Sequence, residues 1–216
     1  MENIHYVLCD VEGTTTDIRF VHDTLFPFAR LRLEAFFAKN PQELEASATA
    51  LGCSIEEVLT TLIGFIDADV KNAELKRIQG MIWAEGYASG ELLGHVYPDV
   101  QPAFTRWRAQ GKRLGIYSSG SVQAQKLIYG NSIVGDLCTY IQDHFDLAQG
   151  YKYEETSYHN IQKILDIPPS SILFLSDVEA ELDAAQAAGM KTVRIFRDDI
   201  LETKHQSMRD FQQLFA

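Results

Sequence analysis

The chain has few basic residues for its length, and acidic residues outnumber them. Its 216 residues carry 19 Lys and Arg against 30 Asp and Glu, which gives a formal net charge of −11. Because affinity for nucleic-acid phosphates depends on clustered Lys and Arg, this balance argues against a nucleic-acid-binding protein. A small anionic substrate remains compatible, since one site on an acidic protein can be locally positive or can hold a metal ion.

Cysteine is also scarce, and other common signals are missing. The three cysteines, Cys9, Cys53 and Cys138, show no CxxC spacing. Such an odd, scattered set is typical of reduced thiols and predicts a cytoplasmic protein, with Cys9 as a buried structural thiol inside an apolar run. The six histidines show no HxxxH or HExxH spacing, which argues against a zinc site. We expect no signal peptide and no membrane partner, because no basic start or long apolar stretch is present.

Strand-like and helix-like patterns alternate over most of the chain. The first strand is predicted over residues 5–10, and the last helix over 207–215. Further strand-like runs are RLGIYSSGS, FDLAQGYK, SSILFLSDV and KTVRIF. This alternation predicts an α/β fold with a Rossmann-like parallel sheet and helices on both faces. An all-helical block at 17–97 interrupts the pattern, so we predict a helical cap inserted into a core formed by 1–16 and 98–216.

Polar and charged residues follow four of the predicted strands. Asp10 follows the first strand, Ser118 the second and Asp177 the fourth, while Lys152 lies in the loop after the third. Ligands of open parallel sheets bind beyond the carboxyl ends of the strands, so these residues are candidates for one site. Loop polarity alone explains any one of them, but together they suit phosphoryl transfer.

Each of these residue types has a part to play in that chemistry. Asp10 can attack phosphorus as a carboxylate nucleophile, and Asp10 with Asp177 can share a hard cation such as Mg²⁺. The Ser118 hydroxyl and the amides around Ser119 can hold phosphate oxygens. Lys152 can neutralise both the nucleophile and the phosphoryl group. Glu12, two residues after Asp10, can protonate the leaving oxygen and later activate water.

The segments DVEGT, YSSGS, GYK and LSDVEAE resemble the four motifs of the haloacid-dehalogenase-like phosphatases. Longer stretches, DVEGTTTDIRFVHDTLFPF, IQGMIWAEGYASGELLGHVYPDV and YSSGSVQAQKLIYG, resemble the enolase-phosphatases, or acireductone synthases, of methionine salvage. This resemblance extends over nearly the whole chain. It implies two steps on 2,3-diketo-5-methylthiopentyl-1-phosphate: enolisation, then Mg²⁺-dependent removal of phosphate through an aspartyl-phosphate to give the acireductone 1,2-dihydroxy-3-keto-5-methylthiopentene.

The resemblance also assigns roles to individual residues. It implies that Asp10, Asp177 and Glu12, the last through its backbone carbonyl, bind one Mg²⁺ per subunit. It assigns binding of the substrate phosphate to Ser118, Ser119 and Lys152, which resemble the family's phosphate-binding positions. From the chemistry of the residues themselves, we expect Asp10, Glu12 and Lys152 to carry out catalysis.

Two acids depart from the usual pattern of the superfamily. Glu12 stands where the second acid of the first motif is usually Asp, and its side chain reaches about one methylene further. Glu181, four residues after Asp177, also replaces an Asp. The spacing of four places Asp177 and Glu181 on one side of a helix, so Glu181 is a candidate to hold a metal-bound water. A solvated surface acid is the alternative for Glu181.

Two other functions remain open from the sequence. A capped phosphatase that acts on small sugar or organic-acid phosphates would use the same residues. A non-enzymatic phospho-acceptor domain also uses an Asp, a Ser or Thr and a Lys at strand ends, but no helical block interrupts that fold after its first strand. We expect a monomer that binds a small phosphorylated molecule.

Overall fold

A parallel sheet forms the centre of the α/β part of the chain. The computed structural model describes residues 3–198 and 202–216, and all sheet pairings between its strands are parallel. The strands are β1 (Tyr6–Cys9), β2 (Arg113–Tyr117), β3 (Asp143–Phe145), β4 (Ile172–Ser176), β5 (Lys191–Ile195) and β6 (Gln206–Met208). Their order is β3-β2-β1-β4-β5-β6, which places β1 between β2 and β4.

The helices follow β1 and lie between the later strands. They are α1 (Ile18–Phe20), α2 (Phe26–Lys39), α3 (Pro41–Leu51), α4 (Ile55–Asp67), α5 (Ala73–Ala88), α6 (Val100–Ala109), α7 (Val122–Gly130), α8 (Glu155–Leu165) and α9 (Glu179–Ala187). A π-helical segment, Val21–Leu25, connects α1 to α2. The alternation of strands and helices after residue 98 confirms the predicted α/β fold with a parallel sheet.

Helices cover both faces of the sheet, so the strand side chains that point to either face are buried and mostly apolar. Side chains of successive strand residues point to opposite faces. Accordingly, Val7 and Cys9 belong to one buried apolar cluster, while Tyr6 and Leu8 belong to the other. This explains why the strands appear in the sequence as continuous apolar runs rather than alternating ones. Cys9 is fully buried, as predicted.

The chain divides into two compact units. The first consists of Met1–Ile18 and Gly94–Ala216, and contains the sheet. The second, Arg19–Leu93, is helical and has a buried core of its own, in which Leu33, Leu62 and Ile78 are fully enclosed. Its α4 begins with the predicted capping box, because the Glu57 carboxylate accepts the backbone N–H of Ser54 at 2.9 Å.

The predicted helix at 207–215 is wrong. Residues 206–208 form β6 instead, and turns follow them. The carbonyls of Phe211 and Leu214 accept hydrogen bonds from the Arg106 guanidinium, and the carbonyl of Leu214 also accepts the Trp107 indole N–H at 3.1 Å. Arg106 on α6 therefore satisfies the Phe211 carbonyl, which a helix over 207–215 would have paired with its own N–H groups, and tertiary contacts override local propensity.

The helices are short compared with the thickness of a membrane. Over residues 3–198 and 202–216, no single helix is long and apolar enough to cross one. One pair of helices, α3 and α4, reaches that length and apolarity only when both are counted together, and the two are bent by 74°.

Candidate active site

Four predicted site residues lie at or beyond the carboxyl ends of the strands. Asp10 follows β1, Ser118 follows β2 and Asp177 follows β4, and these three strands are adjacent in the sheet. Lys152 lies in the loop between β3 and α8. All of them belong to the unit that contains the sheet.

Lys152 is the centre of the charged contacts in the site. Its ammonium contacts the Asp10 carboxylate and lies 2.7 Å from Oε2 of Glu181. The Lys152 side chain is only 6% exposed and that of Asp10 only 3%. Burial alone would lower the pKa of Lys152, but Asp10 and Glu181 raise it above its usual value, so the lysine stays charged.

Glu181 is a largely enclosed partner of Lys152 rather than a solvated surface acid. Its Oε2 also accepts the Ser176 hydroxyl at 2.8 Å, and its side chain is 13% exposed. Burial and the nearby Asp10 together raise the pKa of Glu181 to about 7, against the lowering effect of Lys152. The contact with Lys152 gives Glu181 a direct electrostatic role, while a role in holding a metal-bound water stays a prediction.

Thr14 links the carboxylates of Asp10 and Asp177. Its hydroxyl lies 3.3 Å from Oδ2 of Asp10 and 3.4 Å from Oδ1 of Asp177, and it accepts the backbone N–H of Asp177 at 3.0 Å. Gly13 permits this close approach, since a Cβ at that position would lie 2.3 Å from Oδ2 of Asp177. The Gly13 φ of +76° also favours glycine.

The site contains more negative than positive charge. Asp10, Asp177 and Glu181 surround the single ammonium of Lys152, and burial together with Asp10 raises the pKa of Asp177 to about 7. Within residues 3–198 and 202–216, no three His, Cys, Asp or Glu side chains cluster closely enough to hold a metal by themselves. Mg²⁺ commonly uses only one or two carboxylates and completes its shell with waters and substrate phosphate. The oxygen-rich pair of the buried Asp10 and the half-buried Asp177 therefore fits Mg²⁺.

Glu12 lies in the turn that follows β1. Its backbone forms a bridge with Thr16, and the N–H of Gly13 donates to the Thr16 carbonyl at 2.7 Å. The Glu12 side chain is half-buried. This position, two residues after Asp10, is compatible with both roles considered for Glu12, the backbone carbonyl and the side chain, and both stay predictions.

The two serines after β2 differ in their surroundings. Ser118 is buried, and its hydroxyl oxygen accepts the N–H of Gly120 at 2.9 Å. A serine hydroxyl can still donate its proton while it accepts, so Ser118 suits a phosphate oxygen. Ser119 is exposed, at the turn before α7. Ser121 then caps α7 by accepting the N–H of Ala124 at 3.2 Å.

Several residues that support the site were not predicted from the sequence. The Tyr117 hydroxyl donates to the carbonyl of Gly150 at 2.8 Å, in the loop that carries Lys152. The hydroxyls of Thr15 and Tyr129 lie 2.6 Å apart, and Thr15 also donates to the carbonyl of Asp10 at 3.0 Å. In a sequence, a buried tyrosine that supports a site cannot be told from any other core aromatic. Of these supporting residues, only Thr15 could have been noticed, because it belongs to a short run of threonines after Glu12.

Known proteins resemble this chain over nearly its whole length. A family model described as haloacid dehalogenase-like hydrolase matches residues 4–189. An enolase-phosphatase E1 of Klebsiella pneumoniae (strain 342) is 46% identical over 205 residues, which cover 91% of this chain and 90% of the relative. The chain belongs to the haloacid dehalogenase-like hydrolases and, among them, to the enolase-phosphatase family.

Other relatives agree with this membership. An enolase-phosphatase E1 of Erwinia tasmaniensis is 42% identical over 221 residues, covering 98% of this chain and 96% of the relative. Among solved structures, the UTR4 protein of Saccharomyces cerevisiae is 33% identical with a TM-score of 0.86, over 98% of this chain and all (100%) of that one. The predictions of an enzyme and of an enolase-phosphatase are confirmed.

Proposed function

We propose that this enzyme acts in methionine salvage on 2,3-diketo-5-methylthiopentyl-1-phosphate. It enolises the diketone and then removes the phosphate to give the acireductone 1,2-dihydroxy-3-keto-5-methylthiopentene. The curated relatives named enolase-phosphatase support this proposal. The main structural support for the phosphatase chemistry is the buried contact between Lys152 and Asp10. It places a carboxylate nucleophile beside a fixed positive charge at the ends of the strands.

Mg²⁺ is the proposed cofactor, with one ion per subunit. The carboxylates of Asp10 and Asp177 and the backbone carbonyl of Glu12 would hold it. When bound, Mg²⁺ neutralises the carboxylates and stabilises charge on phosphoryl and carbonyl oxygens as a Lewis acid. The surplus of buried and half-buried carboxylates around Lys152 supports this assignment.

In the proposed phosphatase step, an oxygen of Asp10 attacks phosphorus and the bond from phosphorus to the substrate oxygen breaks. Lys152 stabilises the charge on the phosphoryl oxygens, and Ser118 and Ser119 bind those oxygens by hydrogen bonds. Glu12 donates a proton to the leaving oxygen. Water then attacks the aspartyl-phosphate, Glu12 takes up its proton, and inorganic phosphate and free Asp10 are regenerated.

In the proposed enolase step, no bond to phosphorus changes. A proton moves from the carbon beside a carbonyl, and the carbonyl oxygen is protonated to give the enol. Glu12 is our candidate for this proton transfer, because its carboxylate is not consumed by the covalent chemistry of Asp10. The two steps can therefore be separated by substitution.

The test is the variant Asp10→Asn, assayed with the diketone phosphate and Mg²⁺. We expect enol formation to remain visible by ultraviolet absorbance while phosphate release falls by at least about a thousandfold, because the amide cannot attack phosphorus. Asp166→Asn is a matched control, since Asp166 is exposed and its φ of 52° suits asparagine. Near-normal phosphate release by Asp10→Asn would refute the nucleophile assignment.

The metal assignment is tested separately by chelation. Removing divalent ions should abolish phosphate release, and added Mg²⁺ should restore it with a stoichiometry of one ion per chain. Asp177→Asn should raise the Mg²⁺ concentration needed for half-maximal activity by about 10- to 100-fold. Full activity in excess chelator would contradict the metal site.

Substrate range and assembly are proposed on narrower grounds. If the enzyme is instead a general phosphatase for small sugar or organic-acid phosphates, the kcat/KM values for those substrates will match or exceed the kcat/KM for the diketone phosphate.

The scattered, unpaired cysteines support a cytoplasmic location. We also propose a monomer, which light scattering at micromolar concentration will test.

A further inference from the structure

We propose that Arg197, outside the four motifs, is a positioning residue that sets the geometry of the Asp10 and Asp177 carboxylates through Thr14. The inference deepens the proposed function and rests on it for the metal site. Arg197 lies two residues after the end of β5.

The Arg197 guanidinium holds the backbone of the loop that follows β1. Its Nε donates to the carbonyl of Thr14 at 2.9 Å, and its Nη2 donates to the same carbonyl at 2.5 Å. Two N–H groups on one acceptor fix the direction of that carbonyl, and therefore the orientation of the Thr14 peptide. A lysine could offer only a point charge there, because it lacks the planar fork of arginine.

The Thr14 side chain connects this fixed backbone to the carboxylates of Asp10 and Asp177. Its side-chain hydroxyl is 3.3 Å from Asp10 and 3.4 Å from Asp177, and it also receives the Asp177 N–H. The Thr14 carbonyl and the Thr14 side chain are attached to the same Cα, so a displacement of this backbone after loss of the Arg197 contacts would move the hydroxyl away from at least one of these partners. The distance between two carboxylates that share an ion would then no longer be fixed.

Arg197 is itself immobilised from several sides. Its Nη1 forms an ion pair with Oδ1 of Asp99 at 2.8 Å, and both side chains are 7% exposed. Its guanidinium carbon lies 4.2 Å from the ring centre of Tyr97 and 4.8 Å from that of Phe211. The other oxygen of Asp99 accepts the N–H of Phe211 at 2.7 Å. The guanidinium is thus a rigid support for Thr14.

Arg106 provides a comparison within the same unit. Its guanidinium also donates to backbone carbonyls, those of Phe211, Gln212 and Leu214, at 2.7 to 3.2 Å. These carbonyls belong to the segment after β6 and not to the loop after β1. The Arg106 contacts reach Arg197 only indirectly, through Phe211, so their loss should affect folding stability much more than the carboxylate pair, whereas loss of the Arg197 contacts should affect the carboxylate pair directly.

The experiment measures Mn²⁺ binding in the absence of substrate by electron paramagnetic resonance, well below the unfolding temperature. Mn²⁺ prefers oxygen ligands as Mg²⁺ does and reports binding without turnover. We expect Arg197→Lys to weaken Mn²⁺ binding about tenfold. The control Arg106→Lys should stay within about twofold of the wild type even where its Tm falls.

A second variant covers the case in which Arg197 substitutions unfold the protein by leaving the Asp99 carboxylate buried and unpaired. Arg197→Met combined with Asp99→Asn removes both charges and should fold, yet bind Mn²⁺ at least about tenfold more weakly. Asp99→Asn alone keeps one acceptor oxygen for Arg197 but loses the one that accepts the Phe211 N–H, so it should lower the free energy of unfolding while its Mn²⁺ affinity remains within about threefold of the wild type.

A crystal structure of metal-free Arg197→Lys provides the readout that does not depend on the metal. We expect the Thr14 hydroxyl to lose its hydrogen-bond distance to Asp10 or to Asp177. Wild-type Mn²⁺ affinity in both Arg197 variants, or an unchanged Thr14 in that crystal structure, overturns the inference. If the wild type itself binds no Mn²⁺, the proposed metal site is wrong, and the position of Thr14 in the crystal structure decides the inference alone.

Discussion

Tyr158 donates its phenolic hydroxyl to the backbone carbonyl of Lys152, with 2.7 Å between the two oxygens. The contact is buried, and the Tyr158 ring packs edge-on against Tyr117 and Phe174. Burial raises the pKa of Tyr158, so the hydroxyl keeps its proton throughout any practical assay range. Helix α8 thereby fixes the loop that presents the Lys152 ammonium to Asp10.

Removing this hydroxyl should impair both catalysis and folding stability. We expect Tyr158→Phe to lower kcat about tenfold, because a small displacement of the Lys152 ammonium weakens its stabilisation of charge in the transition state. The free energy of unfolding should fall by about 1–2 kcal/mol, since the buried carbonyl loses its partner. Steady-state kinetics and chemical denaturation measure both quantities. Tyr140→Phe, at a half-buried site before β3, is the control, and equal kcat values for the two variants would contradict the prediction.

Gly13 offers a test of the crowding around Asp177. Gly13→Ala should abolish most phosphatase activity, because the new methyl group would overlap the Asp177 carboxylate and adds strain at a φ of +76°. Gly111→Ala is a matched control, since Gly111 has a φ of +77° and an added methyl group there would meet no atom within 4 Å. Both variants should lose about 1 kcal/mol or more of stability, but only Gly13→Ala should lose activity. Similar activities in the two variants would show that the overlap is harmless.

Glu181→Gln separates two roles for this acid. If Glu181 acts through Lys152, the variant should lower kcat about tenfold and leave the Mg²⁺ requirement nearly unchanged. If it instead holds a metal-bound water, the Mg²⁺ concentration for half-maximal activity should rise about tenfold or more. The contact of 2.7 Å with Lys152 leads us to expect the first result. Titration of activity with Mg²⁺ distinguishes the two, with the exposed Glu155→Gln as the control.

His144 should make stability depend on pH. Burial, with a contribution from Lys126, lowers the pKa of His144 to about 4 from 6.5. The Gln125 amide nitrogen donates to the carbonyls of Gly120 and Phe145, so its oxygen accepts from Nδ1 of a neutral His144. The unfolded chain binds the proton more tightly, so this contribution is fully present above about pH 6.5 and is lost as the pH falls through about 4.

The size of this effect is at most about 3 kcal/mol. Asp177 and Glu181 act in the opposite direction, because their raised pKa values favour the folded state at low pH and lose that effect as the pH rises through about 7. We therefore compare wild type with His144→Gln, in which those acids are unchanged. Denaturation at about pH 7 and about pH 4.5, on either side of the ordinary histidine pKa, should show a larger loss for the wild type. Parallel losses would refute a neutral, buried His144.

The residues that the sequence could predict are those whose chemistry is local to a strand end. Asp10, Asp177 and Ser118 follow apolar runs directly, and parallel pairing brings the ends of β1, β2 and β4 together. Lys152 was placed correctly in its loop although β3 covers only Asp143–Phe145. These predictions needed only the rule that parallel strands end at one side of a sheet.

Arg197 and Tyr158 could not be predicted, because their importance depends on partners that no local pattern reveals. Arg197 contacts Thr14 across 183 residues, and Tyr158 reads in the sequence as an ordinary core aromatic. The wrong helix at 207–215 has a similar origin, since β5 and α6 supply its hydrogen-bond partners from other segments. Intrinsic helix propensity depends on local residues only, so it does not take such contacts into account.

The central place of β1 has a consequence for synthesis on the ribosome. Tyr6 pairs with Arg113 on one side and with Ile172 on the other, while the helical unit at 19–93 makes its core from residues close in sequence. Local contacts form quickly and distant ones slowly, so the helical unit can fold while the nascent chain still lacks both neighbours of β1. The β1 strand is translated before either neighbour and becomes fully paired only after β4 has emerged. Until then the apolar residues of β1 lack strands that bury them in the folded sheet.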